Sequence, residues 1–198
     1  MSPTHQPIGR RERKKAATRR EIADTALRLF RGRGYETVGI REIAAEADVA
    51  VTTLFAHFPS KETLVFEQAA DFETRLVATV AGCEDARSLV PALHDEVGAL
   101  VRHCTSGEAA EIWSMIEESP ELSAYALRLE VRYADALVTA MQAAPAHIAS
   151  DDACHALARF AMAAFTLARR SATPRATLDA SFGMIDAAWQ AARRAHEE

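Results

Sequence analysis

The segment 34–61, GYETVGIREIAAEADVAVTTLFAHFPSK, constrains the fold of this chain more than any other part of it. Two short stretches, 40–47 and 51–57, have apolar residues at helical spacing, and a turn around Asp48 separates them. The pattern predicts two short helices joined by a tight turn. We expect their inner faces to carry Ile43, Ala44, Ala47, Leu54 and Phe58.

Asp48 occupies the place where the chain must turn sharply, a position that favours a left-handed backbone. Glycine adopts that conformation without strain, and aspartate tolerates it better than most other residues do. We therefore expect the turn to form at some energetic cost.

Helical spacing extends over nearly the whole chain. Upstream, the pattern predicts a helix over 17–33 that stops at Gly34. Alternating β patterns, glycine-rich loops and internal repeats do not occur in the sequence, which predicts an all-α protein with a domain boundary near 60–66. Downstream, the predicted helices are 61–80, 89–104, 107–117, 120–143, 151–170 and 175–196.

Charge is distributed unevenly along the chain. The net charge is −5, but residues 1–64 contain 12 Lys and Arg against 8 Asp and Glu, whereas the remainder contains 11 against 20. This asymmetry indicates a small basic module attached to a larger acidic body, although a basic start alone is also typical of a solvated terminus. The basic residues near the start include Arg10, Arg11, Arg13, Lys14 and Lys15.

The three cysteines, Cys83, Cys104 and Cys154, are isolated from one another and form no C-x-x-C pair. Their number and spacing favour a reducing compartment and predict neither a disulfide framework nor a metal site. No run approaches the roughly 18–20 apolar residues of a membrane span, and the polar, basic start does not resemble a signal peptide. We expect a cytoplasmic protein without a cofactor.

Residues 17–64 resemble the DNA-binding domain of the TetR family of bacterial transcriptional regulators. The resemblance lies in LF…GY at 29–35, IREIA at 40–44, ADVA at 47–50 and TTLFAHFPSKE at 52–62. The sequence departs from the family pattern at Gly39, Asp48, Ala50 and Phe55, where the family usually has Thr or Ser, Gly, Ser and Tyr.

The family resemblance implies three parts for this chain. A basic arm, 1–16, would precede a helix-turn-helix DNA-binding domain, 17–64. A helical ligand-binding and dimerisation domain, 65–198, would follow.

The predicted helix 51–57 is short enough to lie in a major groove, where each base pair presents a distinct pattern of donors and acceptors. Phe55 would lie against the sugar–phosphate backbone or, alternatively, in the core. Lys61 would contact a phosphate or remain a solvated charge at a helix start, and the segment 10–15 would either follow phosphates or reach a minor groove. The other predicted DNA contacts are Gly39, Arg41, Val51, Thr52, Thr53 and His57.

The last two predicted helices carry apolar residues on more than one face. One face would pack within its own domain and another against a symmetry-related copy, unless both belong to an intrachain core. We predict a homodimer interface formed by Phe160, Ala164, Ala180, Gly183, Met184, Ala187 and Ala191.

The middle of the chain combines apolar, aromatic and a few polar side chains, the usual lining of a small-molecule pocket. Ordinary core packing is the alternative for each of them. The predicted lining is Phe66, Leu100, His103, Trp113, Met115, Ile116, Tyr125, Leu129, Tyr133, Met162, Phe165 and Thr166.

The resemblance implies a ligand-responsive regulator, namely a repressor that a small apolar or amphipathic molecule releases from an inverted-repeat operator. The alternative hypothesis is a DNA-binding regulator without a small-molecule effector, controlled by a protein partner or constitutive. An enzyme is disfavoured, because the sequence contains no G-x-S-x-G, phosphate-binding glycine loop or H-E-x-x-H motif.

Overall fold

The computed structural model describes residues 9–144 and 149–197. Over these residues the regular secondary structure is helical, with ten helices and no β-strand, so the protein is all-α. The chain forms two compact units, Met1–Glu67 and Gln68–Glu198. None of the helices in the described ranges is long and apolar enough to cross a membrane.

The N-terminal unit contains four helices built around one small core. They are α1 (Arg10–Arg33), α2 (Ile40–Glu46), α3 (Val51–His57) and α4 (Glu62–Val65). On α1 the buried residues Ile22, Ala26 and Phe30 recur every four positions, and Ala23 and Thr25 flank them, so that one stripe faces the shorter helices. The side chains of this core that are at most 1% exposed include Ile22, Ala26, Phe30, Ile43, Leu54, Phe58 and Leu64.

Helix α1 begins earlier than the sequence pattern suggested. Its first residue is Arg10, so 10–16 are its first turns and not a separate arm; residues 1–8 of the expected arm lie outside the described residues. Arginine, lysine and alanine favour helix strongly, and Glu12 in the first turn interacts favourably with the helix dipole. A helix can therefore continue here although its side chains are exposed.

The turn between α2 and α3 has the conformation expected at Asp48, whose φ is +51°. The amide of Val49 donates to the carbonyl of Ala44 (2.9 Å), and that of Asp48 to the carbonyl of Ala45 (3.2 Å). These bonds satisfy the last carbonyls of α2, as in other helix ends that close on a left-handed residue.

The expected single helix over 61–80 is wrong, because α4 ends at Val65 and α5 (Ala69–Ala81) begins after a break. Phe66 has φ −102° and ψ 38°, which is not helical. Leu64 and Val65 are buried in the N-terminal unit. The carbonyl of Gln68 accepts hydrogen bonds from the amides of Asp71 and Phe72, and these bonds start α5. Packing in the first unit thus overrides the helical spacing of the sequence.

The C-terminal unit consists of α5 and five further helices. Helix α9 packs against α6, α8 and α10, and its buried residues Leu157, Ala158, Ala161 and Phe165 lie at the centre of this core. The further helices are α6 (Leu89–Cys104), α7 (Gly107–Glu118), α8 (Pro120–Gln142), α9 (Asp151–Arg169) and α10 (Pro174–Glu197).

Asp48 provides a test of the turn. We expect Asp48→Val to lower the free energy of unfolding by about 1–2 kcal/mol, because a β-branched residue is strained in the left-handed region. Asp48→Gly is the matched control and should lose no stability, since glycine adopts positive φ freely. Urea denaturation of the full-length variants measures both effects. Equal stability of the two variants would contradict this account of the turn.

Candidate nucleic-acid interface

Helix α3 has a buried face and an exposed face. Leu54, on the helix, and Phe58, which directly follows it, are fully buried, and both were predicted to face inward. On the other side Thr52 is exposed and Phe55 is 48% exposed, which rules out the core position considered for Phe55. Val51, Thr53 and His57 are half-buried at the edges of the exposed face.

The start of α2 lies on the surface of the same unit. Gly39 is the N-cap residue of this helix and is exposed, as is Arg41 two residues later. No side chain caps the helix start through a hydrogen bond, which agrees with the absence of the usual Thr or Ser at position 39. Backbone amides and a flexible cation at such a place are suited to a phosphate group.

The basic first turns of α1 are exposed along their length. Five cations lie within six positions, so they point in different directions around the helix axis. This arrangement gives a positively charged surface and not a single stripe. The five are Arg10, Arg11, Arg13, Lys14 and Lys15.

Lys61 has an internal partner. Its Nζ donates to the backbone carbonyl of Tyr35 (2.5 Å) and lies 4.1 Å from the centroid of the Tyr35 ring. The residue is half-buried, so it is not the freely solvated charge that the sequence left open. An ammonium group has three donors, and a phosphate contact from the remaining ones stays a prediction.

Arg19 supports the end of α3 and was not among the candidate site residues predicted from the sequence. Its Nη1 donates to the backbone carbonyl of His57 at the end of α3 (2.5 Å), and its Nε pairs with Glu67 (3.2 Å). The guanidinium also lies 4.2 Å from the ring centroid of Phe58. Arg19 thereby satisfies one of the C-terminal carbonyls that a helix leaves unpaired. Its position three residues before Ile22, on the buried stripe of α1, is the signal that could have revealed it.

His57 is held in an environment that disfavours its protonated form. Its Nδ1 is buried and has no hydrogen-bond partner in the described structure. Burial lowers the pKa of His57 below its ordinary value of 6.5, and the positive charges of Arg19 and Lys15 lower it further. In the protein without DNA these influences favour the neutral imidazole, and a contact from His57 to a phosphate stays a prediction.

The predicted dimer interface is mostly exposed, with one correction. Phe160 and Met184 are 52% and 70% exposed, but Ala164 is 1% exposed and packs in the core of its own unit. Along α9 the exposed side follows Phe160 with Ala163 and Leu167, at spacings of three and four residues. Ala164 lies at the edge of the buried arc instead. The remaining predicted residues are exposed on α10: Ala180, Gly183, Ala187 and Ala191.

Two of the predicted pocket residues do not belong to the C-terminal core. Phe66 belongs to the N-terminal unit, and His103 is exposed on α6, where its ring meets Phe72 edge-on with centroids 5.3 Å apart. Trp113, Met115, Tyr125 and Thr166 are half-buried. The others are buried in the C-terminal core: Leu100, Ile116, Leu129, Tyr133, Met162 and Phe165.

Some of the predicted pocket residues contact each other or the nearby backbone. The rings of Trp113 and Phe165 meet edge-on with centroids 6.1 Å apart, and the hydroxyl of Tyr133 donates to the carbonyl of Ala69 (3.1 Å). A separate open groove of about 200 Å³ contains none of the predicted pocket residues, although Gly183 of the predicted dimer interface lines it. It is lined by Val90, Pro91, His94, Asp179, Phe182, Gly183 and Asp186.

Two of the three cysteines are buried, and Cys83 is half-buried. Cys104 and Cys154 are buried, and burial raises the pKa of both thiols, that of Cys104 to about 11. Thiols in such surroundings are poor nucleophiles, because the reactive species is the thiolate. No group of three or more metal-ligating side chains occurs in the part of the chain that the structure describes.

Comparison with known proteins places this N-terminal geometry among DNA-binding regulators. The family model described as "Bacterial regulatory proteins, tetR family" matches residues 22–67. The repressor KstR of Rhodococcus jostii is 48% identical over 56 residues, 28% of this chain and 26% of KstR. The protein MftR of Mycobacterium tuberculosis is 31% identical over 133 residues, 64% of each chain.

The name of a third relative refers to a ligand. The nicotine-responsive transcriptional repressor HdnoR of Paenarthrobacter nicotinovorans is 30% identical over 81 residues, 39% of this chain and 42% of HdnoR. The matches therefore span less than two thirds of the length of each of these three relatives.

Among solved structures, GusR of Salmonella enterica is similar in fold. It superimposes with a TM-score of 0.58 at 17% identity, over 90% of this chain and 96% of GusR. At that level of identity the likeness shows a common fold and nothing more specific.

The environment of His57 predicts a dependence of stability on pH. Because its pKa is lowered in the folded state, the unfolded chain takes up a proton first as pH falls, and protonation favours unfolding. The stability contributed by neutral His57 is complete above about pH 6.5 and is lost as pH falls towards the folded-state pKa.

Chemical denaturation between about pH 5 and 8 measures this dependence. We expect His57→Gln to reduce the loss of stability below pH 6.5, whereas His155→Gln, at an exposed position on α9, should retain it. An unchanged pH profile in His57→Gln would contradict the assignment.

Proposed function

Because its N-terminal domain makes this chain a member of the TetR family of transcriptional regulators, we propose that it binds an inverted-repeat operator as a homodimer. We further propose that it represses transcription until a small apolar or amphipathic molecule releases it from the DNA. This activity requires the bacterial cytoplasm, where the DNA is. The observation that carries the proposal is the exposed face of α3, on a unit that also exposes the basic first turns of α1 and has a filled core.

The exposed face of α3 has the chemistry that base reading requires. The hydroxyl of Thr52 can contact base edges or phosphates, and its methyl group can pack on a thymine methyl. Phe55 is half exposed and offers an apolar surface to the sugar–phosphate backbone. Arg41 and the cations of 10–15 supply the phosphate contacts that orient a protein on the duplex without reading its sequence.

A homodimer explains how so small a surface would bind specifically. Phosphate contacts alone give dissociation constants of about 10⁻⁴–10⁻⁶ M at physiological salt. Two copies related by a two-fold axis would read two half-sites about 34–36 Å apart. The exposed apolar and small residues of α9 and α10 suit such a pairing. Phe160, Leu167 and Met184 are each more than half exposed, and burying such apolar surface against a partner is more favourable than leaving it in water.

Control by a small molecule is supported by a sequence relative more than by a cavity in the structure. The relative HdnoR is named for its response to nicotine. An effector can act only through different affinities for two conformers of the regulator, and such coupling is typically about 1–3 kcal/mol. Regulation without an effector is the second candidate, and it is favoured by the burial of Leu100, Ile116 and Leu129 as ordinary core residues.

The DNA-binding proposal is tested on an operator mapped by footprinting upstream of the protein's own gene. We expect Thr52→Ala to weaken operator binding by about 1–3 kcal/mol and to relax the preference at one base pair. Arg41→Gln should weaken binding to all sequences and reduce the slope of log K against log salt by about 1.

Fluorescence anisotropy over a range of salt concentrations separates these two effects. Arg87→Gln, at an exposed position of the C-terminal unit, is the matched control and should bind as the parent protein does. Parental behaviour of both Thr52→Ala and Arg41→Gln would refute the proposed interface.

The dimer proposal is tested with two matched charge substitutions. Met184→Glu would place a carboxylate in the proposed interface, and we expect it to yield monomers with much weaker operator binding, because burying an unpaired charge is costly. Leu127→Glu, on an equally exposed apolar residue of α8, should leave the dimer intact. Sedimentation equilibrium measures the association. A parent protein that is monomeric, or a Met184→Glu dimer as stable as the parent, would refute this interface.

A further inference from the structure

Arg169 is a buried cation at the end of α9. Its side chain is 6% exposed, and its guanidinium carbon lies 4.0 Å from the centroid of the Trp113 ring. Trp113 in turn meets the ring of Phe165. Removing a charged group from water is costly unless it is fully paired and hydrogen-bonded. The partners of Arg169 therefore indicate whether the cluster is complete without a ligand.

Two described carboxylates, Glu117 and Glu130, interact with the guanidinium groups of Arg169 and Arg170. Glu117 accepts from Nη1 of Arg169 (2.8 Å) and from Nε of Arg170 (3.3 Å), so one carboxylate serves two guanidinium groups. Glu130, which accepts from the hydroxyl of Thr166 (2.8 Å), is half-buried. Burial raises the pKa of Glu130, although the positive charges of Arg169 and Arg170 lower it. Glu117 is thus the carboxylate that hydrogen-bonds to the guanidinium of Arg169 in the described structure.

The geometry of Arg169 leaves one donor without an acceptor. Its Nε is buried and has no hydrogen-bond partner in the described structure. Nε shares an edge of the planar guanidinium with Nη2, whereas Glu117 is bound through Nη1. On that edge a second carboxylate would have the two-point geometry that arginine favours with carboxylates. Because Nε is fully buried, the surrounding side chains must move to admit it. A buried N–H without an acceptor otherwise costs free energy.

We propose that Arg169 binds the carboxylate of an aromatic effector, whose ring packs against Trp113 and Phe165. This inference rests on the effector-gated function proposed above and specifies the chemistry of the effector. A carboxylate matches the donor that Nε of Arg169 leaves without an acceptor, and a flat apolar group matches the two rings. Glu117 then competes weakly with the ligand, because both carboxylates interact with the same guanidinium.

The test is a direct binding measurement on the full-length protein without DNA. Isothermal titration with 2-naphthoate and with its neutral analogue 2-naphthamide compares the charged and uncharged forms of one shape. We expect the amide to bind about tenfold more weakly or not at all, because the charge-assisted hydrogen bonds are lost. Absence of naphthoate binding up to its solubility limit, or equal binding of both compounds, overturns the proposal.

Substitutions with opposite expected effects locate the site. Arg169→Lys keeps the charge but removes the planar fork, and we expect it to bind naphthoate several-fold more weakly. Glu117→Gln removes the competing carboxylate and should bind naphthoate more tightly. Glu118→Gln, at an exposed position on the same helix, is the control and should match the parent. Parental affinity in both Arg169→Lys and Glu117→Gln overturns the assignment.

Two further measurements keep the outcomes distinct. Thermal unfolding identifies any variant that fails to fold, and Glu117→Gln carries the test if Arg169→Lys is one of them. Operator affinity is measured separately on the parent protein. Absence of operator binding by the parent protein would refute the proposed function. Operator binding by a protein that does not discriminate between naphthoate and naphthamide would refute only the role of Arg169.

Discussion

The outer face of α3 depends on the burial of the two side chains on its inner side. A helix of seven residues cannot persist in water by itself, because nucleation is costly and few hydrogen bonds offset it. Leu54 and Phe58 supply the missing stabilisation, since both are fully buried. Arg19 adds to it by covering the Phe58 ring and by donating to the carbonyl of His57. The residues on the inner side of α3 thus hold in place the surface that would contact DNA.

Much of this architecture could be predicted from local patterns in the sequence. The helical class, the inward positions of Leu54 and Phe58 and the bounds of α6 to α10 within about two residues all follow from the period of 3.6 and from local stop and start signals. Ser119 and Ser150 cap α8 and α9 through their side chains, as serine before Pro120 and before Asp151 suggests. The positive φ of Asp48 follows from the need for a tight turn.

The features that could not be predicted depend on residues far apart in the sequence. Arg19 meets Glu67 across 48 positions, and Lys61 meets Tyr35 across 26. The break at Phe66 arises because Leu64 packs into the first unit. Ala163 and Ala164 are the same residue type in neighbouring positions of α9. Ala164 is buried and Ala163 is exposed because of where the core lies around the helix. Such outcomes are set by tertiary packing, which a single sequence does not display.

The ion pair between Arg19 and Glu67 has a practical meaning for chimeric regulators. Grafting the N-terminal module onto a foreign sensor at position 64, the end of the domain predicted from the sequence, would discard Glu67. The graft would keep every predicted DNA contact and yet loosen the arginine that secures the end of α3. A fusion point after Glu67 preserves that support, because the chimera then contains the whole N-terminal unit.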